Sequence, residues 1–406
     1  MKKTILRIIL LILIALLILL TLNAAKINRL VHTISLFDEE VIAENFQNME
    51  DNYDYKTLHA SDAPFKFPQN MVYTPQGNFS FENQSYDIQE YLKNTRTEGL
   101  LILKNDTIIH ESYGEGLEPD ESHISWSMAK SFTSALVGIY HQKGLFDLED
   151  PITKYLEDFK GTGYDNVKII NLLHMASGVG FDEDYGDFYS DINRFGRAFA
   201  MGSSMRDFAK SLKNARPQGS FNHYVSIDTQ MLGLLLTQVT GKSITELTQE
   251  HLWTPLGMEH NGQWLIDNTG MEMALGGLNA TLRDFAKLGV CYKNGGFFNN
   301  QQIVPVEWVE ATTRLDRDYL LPGKHDLSSN IHGYGLQWWV PVNNHEAFAM
   351  GGIYNQYVYI DPVSDIVIVK LSANHKYKTE GHVTKTIHFE MFDAIIDDIM
   401  SEQSAL

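Results

Sequence analysis

The spacing of apolar and polar positions divides the chain into stretches of different character. Residues 8–22 are apolar except for Thr21, and Lys2, Lys3 and Arg7 precede them. A run without a polar face does not suit a core helix. Its length, 15 residues or 18 if extended to Ala25, lies between a signal-peptide core and a full bilayer span. Cleavage after Ala25 or Ala24 would put Asn23 or Leu22 at the third-last position, so no clean small-x-small site follows. The pattern favours an uncleaved anchor over a cleaved signal within residues 1–25. In either case the basic flank stays in the cytoplasm and the remaining chain is exported, to be membrane-held or secreted.

Residues 26–78 have little period and are punctuated by Pro64, Pro68 and Pro75. They predict a spacer wrapped on a main domain of residues 79–406, with a short helix near 38–48. Two β-rich runs, 99–104 and 107–113, flank the polar pair Asn105-Asp106 and predict a hairpin. Helical spacing follows at 125–142, 167–175, 195–214 with a break at Gly202, 229–239, 243–252 and 281–292. Beyond Gly295-Gly296 the segments 334–340, 347–350, 356–360 and 365–372 read as strands, and 383–400 as a last helix. Strands at both ends with helices between them predict a mixed α/β protein of the α+β type. Its antiparallel sheet is assembled from both ends of the chain and flanked by helices, with a helical lobe at about 150–290 inserted.

Composition narrows the function classes. The chain is 44% hydrophobic and 20% charged, as expected of a folded protein, and its formal net charge is −19. With no basic run to interrupt that field, nucleic acid is not an expected partner. Cys291 is the sole cysteine, which excludes an internal disulfide, and its apolar neighbours Leu288 and Val290 predict a packed thiol. No P-loop, G-x-G-x-x-G, H-E-x-x-H or G-x-S-x-G motif is present, so neither a cofactor, a metal nor a nucleophile elbow is expected.

What remains is Ser127-Met128-Ala129-Lys130, at the start of the 125–142 helix. Side chains three apart on a helix are neighbours, with Cβ atoms about 5–6 Å apart. Met128, Ala129, Phe132, Ala135 and Leu136 surround the lysine with apolar groups. Burial there disfavours the ammonium and moves Lys130 toward a neutral base that can accept the serine proton.

This stretch resembles the first motif of the serine β-lactamase and penicillin-binding superfamily. Its flanks, Trp126 and Ser131-Phe132-Thr133-Ser134, are most similar to the branch holding class C β-lactamases, related esterases and nylon-oligomer hydrolases. Leu172-Leu173-His174-Met175-Ala176-Ser177-Gly178, then Tyr224-Val225-Ser226 in the place of Y-x-N, Thr229-Gln230-Met231-Leu232-Gly233, Trp253-Thr254-Pro255-Leu256-Gly257-Met258 and Gly351-Gly352-Ile353 continue the resemblance in order. It implies an acyl-enzyme on Ser127, with Lys130 and Tyr224 as base and acid. It also implies an oxyanion hole from the backbone N–H groups of Ser127 and Ile353, with Gly352 letting the strand approach. Tyr185 stands where nylon-oligomer hydrolases contact the scissile amide, and Ser226, Asn355 and Gln356 are candidate pocket residues.

Two departures are visible. Ser226 replaces the family's Asn, and Met350 stands where the third motif carries a cation. Loss of that cation favours an ester or amide substrate over a β-lactam. The alternative is a penicillin-recognising or peptidoglycan-binding protein, DD-peptidase-like or β-lactamase, with little esterase turnover.

Overall fold

The computed structural model describes residues 2–404 apart from 115, 343, 344 and 382. Its main element is a seven-stranded antiparallel sheet. In spatial order the strands are Gly333–Tyr334, Trp339–Val340, Phe348–Gly352, Gln356–Asp361, Ile366–Ser372, Thr97–Lys104 and Thr107–Tyr113. The predicted early hairpin is present. The last strand of the chain pairs with its first member, Ile368 opposite Ile102 and Val367 opposite Leu103, so the sheet is closed from both ends. Every residue of Ile366–Ser372 is buried, as expected where helices cover both faces.

One cover is the C-terminal helix Val383–Ser404, whose Phe389, Phe392, Ile395 and Ile396 pack with Tyr357 and Tyr359. The other is Leu282–Lys293, where Thr281 caps by accepting the Asp284 N–H. That helix lies so close that a Cβ on Gly289 would stand 2.6 Å from Val358.

The segment 334–340, read as one strand, is two short ones. Gln337 between them adopts a left-handed conformation (φ 65°). Its side chain explains the break: Nε2 donates to the Leu172 and Leu173 carbonyls, and Oε1 accepts from Thr229. The inserted lobe carries Ile169–Leu173, Asp191–Ala200, Met205–Ser211, Ser226–Thr240 and Ile244–Thr248.

The 26–78 segment contributes Leu36, Ile42, Phe46, Met49, Tyr53, Leu58 and Phe67 to the same core as Ala129, Phe132, Ala135 and Leu136 of the predicted 125–142 helix. Its Tyr55–Leu58 is also the edge strand of a second, four-stranded sheet with Gly262–Leu265, Leu278–Ala280 and His123–Ile124. Before it run two helices, Lys2–Leu22 and Ala24–Ser35. Lys3–Leu22 is long and apolar enough to cross a membrane, and none of it is buried in the protein. Twenty helical residues rise about 30 Å, the thickness of a hydrocarbon core.

Candidate active site

Ser127 sits on a single 3₁₀ turn, Trp126–Met128, that runs directly into the helix Ala129–Gln142. Trp126, just before it, is held at φ 45°, a conformation costing a bulky residue about 1–3 kcal/mol. Packing fixes it there: its ring meets Phe46 at 5.4 Å and Phe37 at 5.7 Å. The hydroxyls that follow bolt the helix down. Ser131 donates to the Gln337 carbonyl, Thr133 to that of Ala274 and Ser134 to that of Leu336. The polar flank of the motif is therefore buried and fully used.

On this rigid support the Lys130 Nζ lies 2.9 Å from Ser127 Oγ and donates to the Leu275 carbonyl at 2.6 Å. Lys130 is 1% exposed. Burial lowers its pKa to about 7, with the carboxylate of Glu183 pulling the other way. With one N–H committed to Leu275, the neutral amine has its lone pair free for the serine proton.

Tyr224 arrives from the far side on a loop pinned to the 174–176 turn. Gly219 N–H donates to Ala176, His223 N–H to Met175, and the Asn222 side chain to His174, all at backbone carbonyls. Its ring stacks on Trp339 at 5.5 Å and meets Tyr334 edge-on at 5.7 Å. Its hydroxyl reaches Ser127, and Lys130 Nζ lies 5.3 Å from its ring centre. Burial first, and Glu183 second, push the phenol well above its ordinary range, so the neutral hydroxyl is the resident form. Of the adjacent tryptophans only Trp339 faces Tyr224; Trp338 turns into the core against Tyr292.

Glu183 is the group that inspection of the sequence did not single out. Its Oε1 accepts the Ser226 N–H, at the start of the helix Ser226–Thr240, at 2.5 Å, and its Oε2 accepts the Tyr185 hydroxyl at 2.8 Å. Burial raises its pKa against the opposing pull of Lys130, Ser226 and Tyr185. A helix N-terminus favours such an anion.

Ser127, Tyr185, Ser226 and Ile353 all line one cavity of about 300 Å³. Gly352 brings the strand end bearing Ile353 against the turn that carries Ser127; a Cβ there would stand 2.5 Å from the Ser125 carbonyl oxygen. Asn355 and Gln356, expected on the pocket wall, are instead fully buried behind it. Asn355 is left-handed (φ 70°) in the hairpin turn and accepts from Asn374, while Gln356 binds Ile353, Tyr354 and both backbone groups of Ser372. The Gln356 amide holds the turn by pairing backbone groups that a short hairpin loop leaves open, while the Asn355 amide pairs with neighbouring side chains. Met350 is also fully buried in the core and presents no polar group to the cavity. His223 lies 2.9 Å from the Phe181 carbonyl and braces the loop. Among the described residues no cluster of metal-ligating side chains occurs.

The chain is 29% identical over 296 residues to the 6-aminohexanoate-dimer hydrolase of Paenarthrobacter ureafaciens, covering 71% of this chain and 75% of that one. A structure from Bacillus anthracis, assigned as a candidate 6-aminohexanoate-dimer hydrolase, superposes with a TM-score of 0.81 at 25% identity, over 90% of this chain and 96% of that one. A class C β-lactamase from Rhodobacter sphaeroides shares the fold, with a TM-score of 0.51 at 14% identity over 76% and 98% of the two chains. The β-lactamase family model matches residues 87–388. The chain thus belongs to the β-lactamase family, as a hydrolase of the serine β-lactamase and penicillin-binding superfamily.

Proposed function

We propose that the protein is an exported, membrane-anchored serine hydrolase that cleaves an amide or ester through an acyl-enzyme on Ser127. The observation that carries this reading is the buried Lys130, drawn toward neutrality and 2.9 Å from the hydroxyl of Ser127, which itself lines the cavity. Ser127 Oγ attacks the substrate carbonyl carbon as Lys130 Nζ takes its proton. The oxyanion of the tetrahedral intermediate is received by the N–H groups of Ser127 and Ile353, each such donor worth about 3–4 kcal/mol. On collapse the C–N or C–O bond breaks. The neutral Tyr224 hydroxyl gives its proton to the leaving group and recovers one from Lys130. Water then attacks the acyl-enzyme by the reverse path, which releases the acid and regenerates Ser127.

The buried Met350 leaves no cation at the third motif to hold a β-lactam carboxylate, and the relative named for 6-aminohexanoate-dimer hydrolysis supports a linear amide. A hydrolysis panel tests the reading. Short p-nitrophenyl esters and linear amides are expected to be turned over, and cephalosporins at least 100-fold more slowly. Preferred cleavage of the cephalosporin, or a stable penicillin adduct without ester turnover, would favour a penicillin-recognising protein instead.

A further inference from the structure

One wall of the active-site cavity is built from the N-terminal segment. Thr33, Ile34, Leu36 and Phe37 line it, facing Phe195 and Phe199 of the helix Asp191–Ala200. This wall is fastened to the catalytic turn. Phe37 stacks on Tyr354, the residue after Ile353, at 4.5 Å and 9°. Thr33 Oγ1 lies 2.6 Å from Tyr53 OH, and Arg29 pairs with Asp54 at 3.0 Å.

Most polar side chains along the cavity are already occupied, the exceptions being Trp126 Nε1 and Ser226 Oγ beside the serine, which are buried without a hydrogen-bond partner. Thr33 also donates to the Arg29 carbonyl, and Asn193 donates to the Asp184, Tyr185 and Asp187 carbonyls. Arg197 donates to the Phe188 carbonyl and lies over the Phe188 ring. The exposed Lys378 lies over the Phe37 ring. What faces the void away from Ser127 is therefore mostly hydrocarbon. The rim is apolar too: Ile34 is 54% exposed and Phe188 51%. Polar substrates find few unspent partners in such a pocket, whereas an alkyl chain loses nothing by entering it.

The same wall leads to the apolar N-terminal helix. Asn23 N–H donates to Leu19 and Ile27 N–H to Asn23, so helical hydrogen bonding runs through the junction of Lys2–Leu22 with Ala24–Ser35. Ile34 lies twelve residues beyond Leu22, a rise of about 18 Å along a helix. The cavity rim is thus tethered close to where the anchor would leave the bilayer.

We propose that the substrate is an ester or amide carrying an apolar acyl chain, which the 26–37 segment and the Asp191–Ala200 helix clasp at the membrane surface. The inference rests on the anchored serine-hydrolase reading and names its substrate class. Each methylene buried in the cavity favours the transition state by roughly fourfold.

The test uses the full-length protein in phosphatidylcholine vesicles with p-nitrophenyl acetate, butyrate and octanoate. We expect kcat/KM to rise at least tenfold from acetate to octanoate. Ile34→Glu, at a rim position exposed enough to accept a charge, should lower the octanoate-to-acetate ratio at least fivefold, and Phe188→Glu should do the same. A palmitate ester embedded in the vesicles and hydrolysed as fast as octanoate would name the bilayer as source; octanoate alone would name a water-borne amphiphile. Either result supports the acyl-chain class. Ser127-dependent turnover that is flat or falling with chain length, or a ratio unmoved by both variants, overturns the inference and leaves the hydrolase reading standing. No Ser127-dependent turnover of any ester removes the hydrolase reading itself, and the inference with it.

Discussion

Lys130→Met is expected to leave a folded protein whose turnover is about 10³-fold or more below that of the wild type, the scale of losing a positioned general base. Methionine matches the length and buried surroundings of the lysine, so the packing of Ala129–Gln142 survives. What disappears is the nitrogen 2.9 Å from Ser127 and the donor to Leu275. Stability should move the other way. The buried Lys130 has a pKa near 7 where the unfolded chain has its ordinary value of 10.5. Between those two values the unfolded state binds the extra proton, so this residue lowers stability at neutral pH, and the loss fades as pH rises through that window. Lys130→Met should therefore melt at or above the wild-type temperature at pH 7, which separates loss of chemistry from loss of fold.

The same pKa sets the pH profile. In the proposed mechanism the base is the neutral amine, populated above its pKa, so kcat/KM should climb with pH through a midpoint near 7. Glu183 holds the ammonium form up. Removing its charge in Glu183→Gln favours the neutral amine further and should shift the rising limb to lower pH. A limb that stays in place, or moves alkaline, would take Glu183 out of the electrostatics of Lys130.

Tyr224→Phe carries the second large effect. The ring keeps its stack on Trp339 and its edge contact with Tyr334, so the fold should be untouched. Only the hydroxyl beside Ser127 is lost. If that hydroxyl protonates the leaving group, the loss must depend on the leaving group. An alkyl amine cannot depart without a proton, and amide acylation should fall about 10²–10⁴-fold, as for a lost general acid. A p-nitrophenolate departs unaided, and acylation by its esters should fall far less. Stopped-flow acylation rates for an alkyl amide and a p-nitrophenyl ester check this. Equal losses would contradict the acid role.

Much of this site could be read in the sequence because it depends on short-range geometry. Ser127 and Lys130 face each other through helical spacing, and the apolar neighbours that shift the lysine lie within a few residues of it. The β-rich runs at both ends likewise announced a sheet closed by Ile366–Ser372 on Thr97–Lys104. What was hidden depends on distant partners. Glu183 is one acid among 51 acidic residues, and only the Ser226 N–H, the Tyr185 hydroxyl and Lys130 distinguish it. Asn355 and Gln356 have the polarity of pocket residues, yet their partners Asn374 and Ser372 turn them inward. Residues 24–35 lacked a legible helix boundary because the apolar run before them continues the same helical hydrogen bonding through Asn23. Their place on the cavity wall follows from tertiary packing on Asp191–Ala200.

The central claim is the covalent intermediate, and intact-protein mass spectrometry after exposure to a fluorophosphonate tests it most directly. The account predicts one adduct per chain, mapped to the peptide carrying Ser127 and absent from Ser127→Ala, whose ester turnover falls to background. An adduct on another residue, or full turnover by Ser127→Ala, would contradict it.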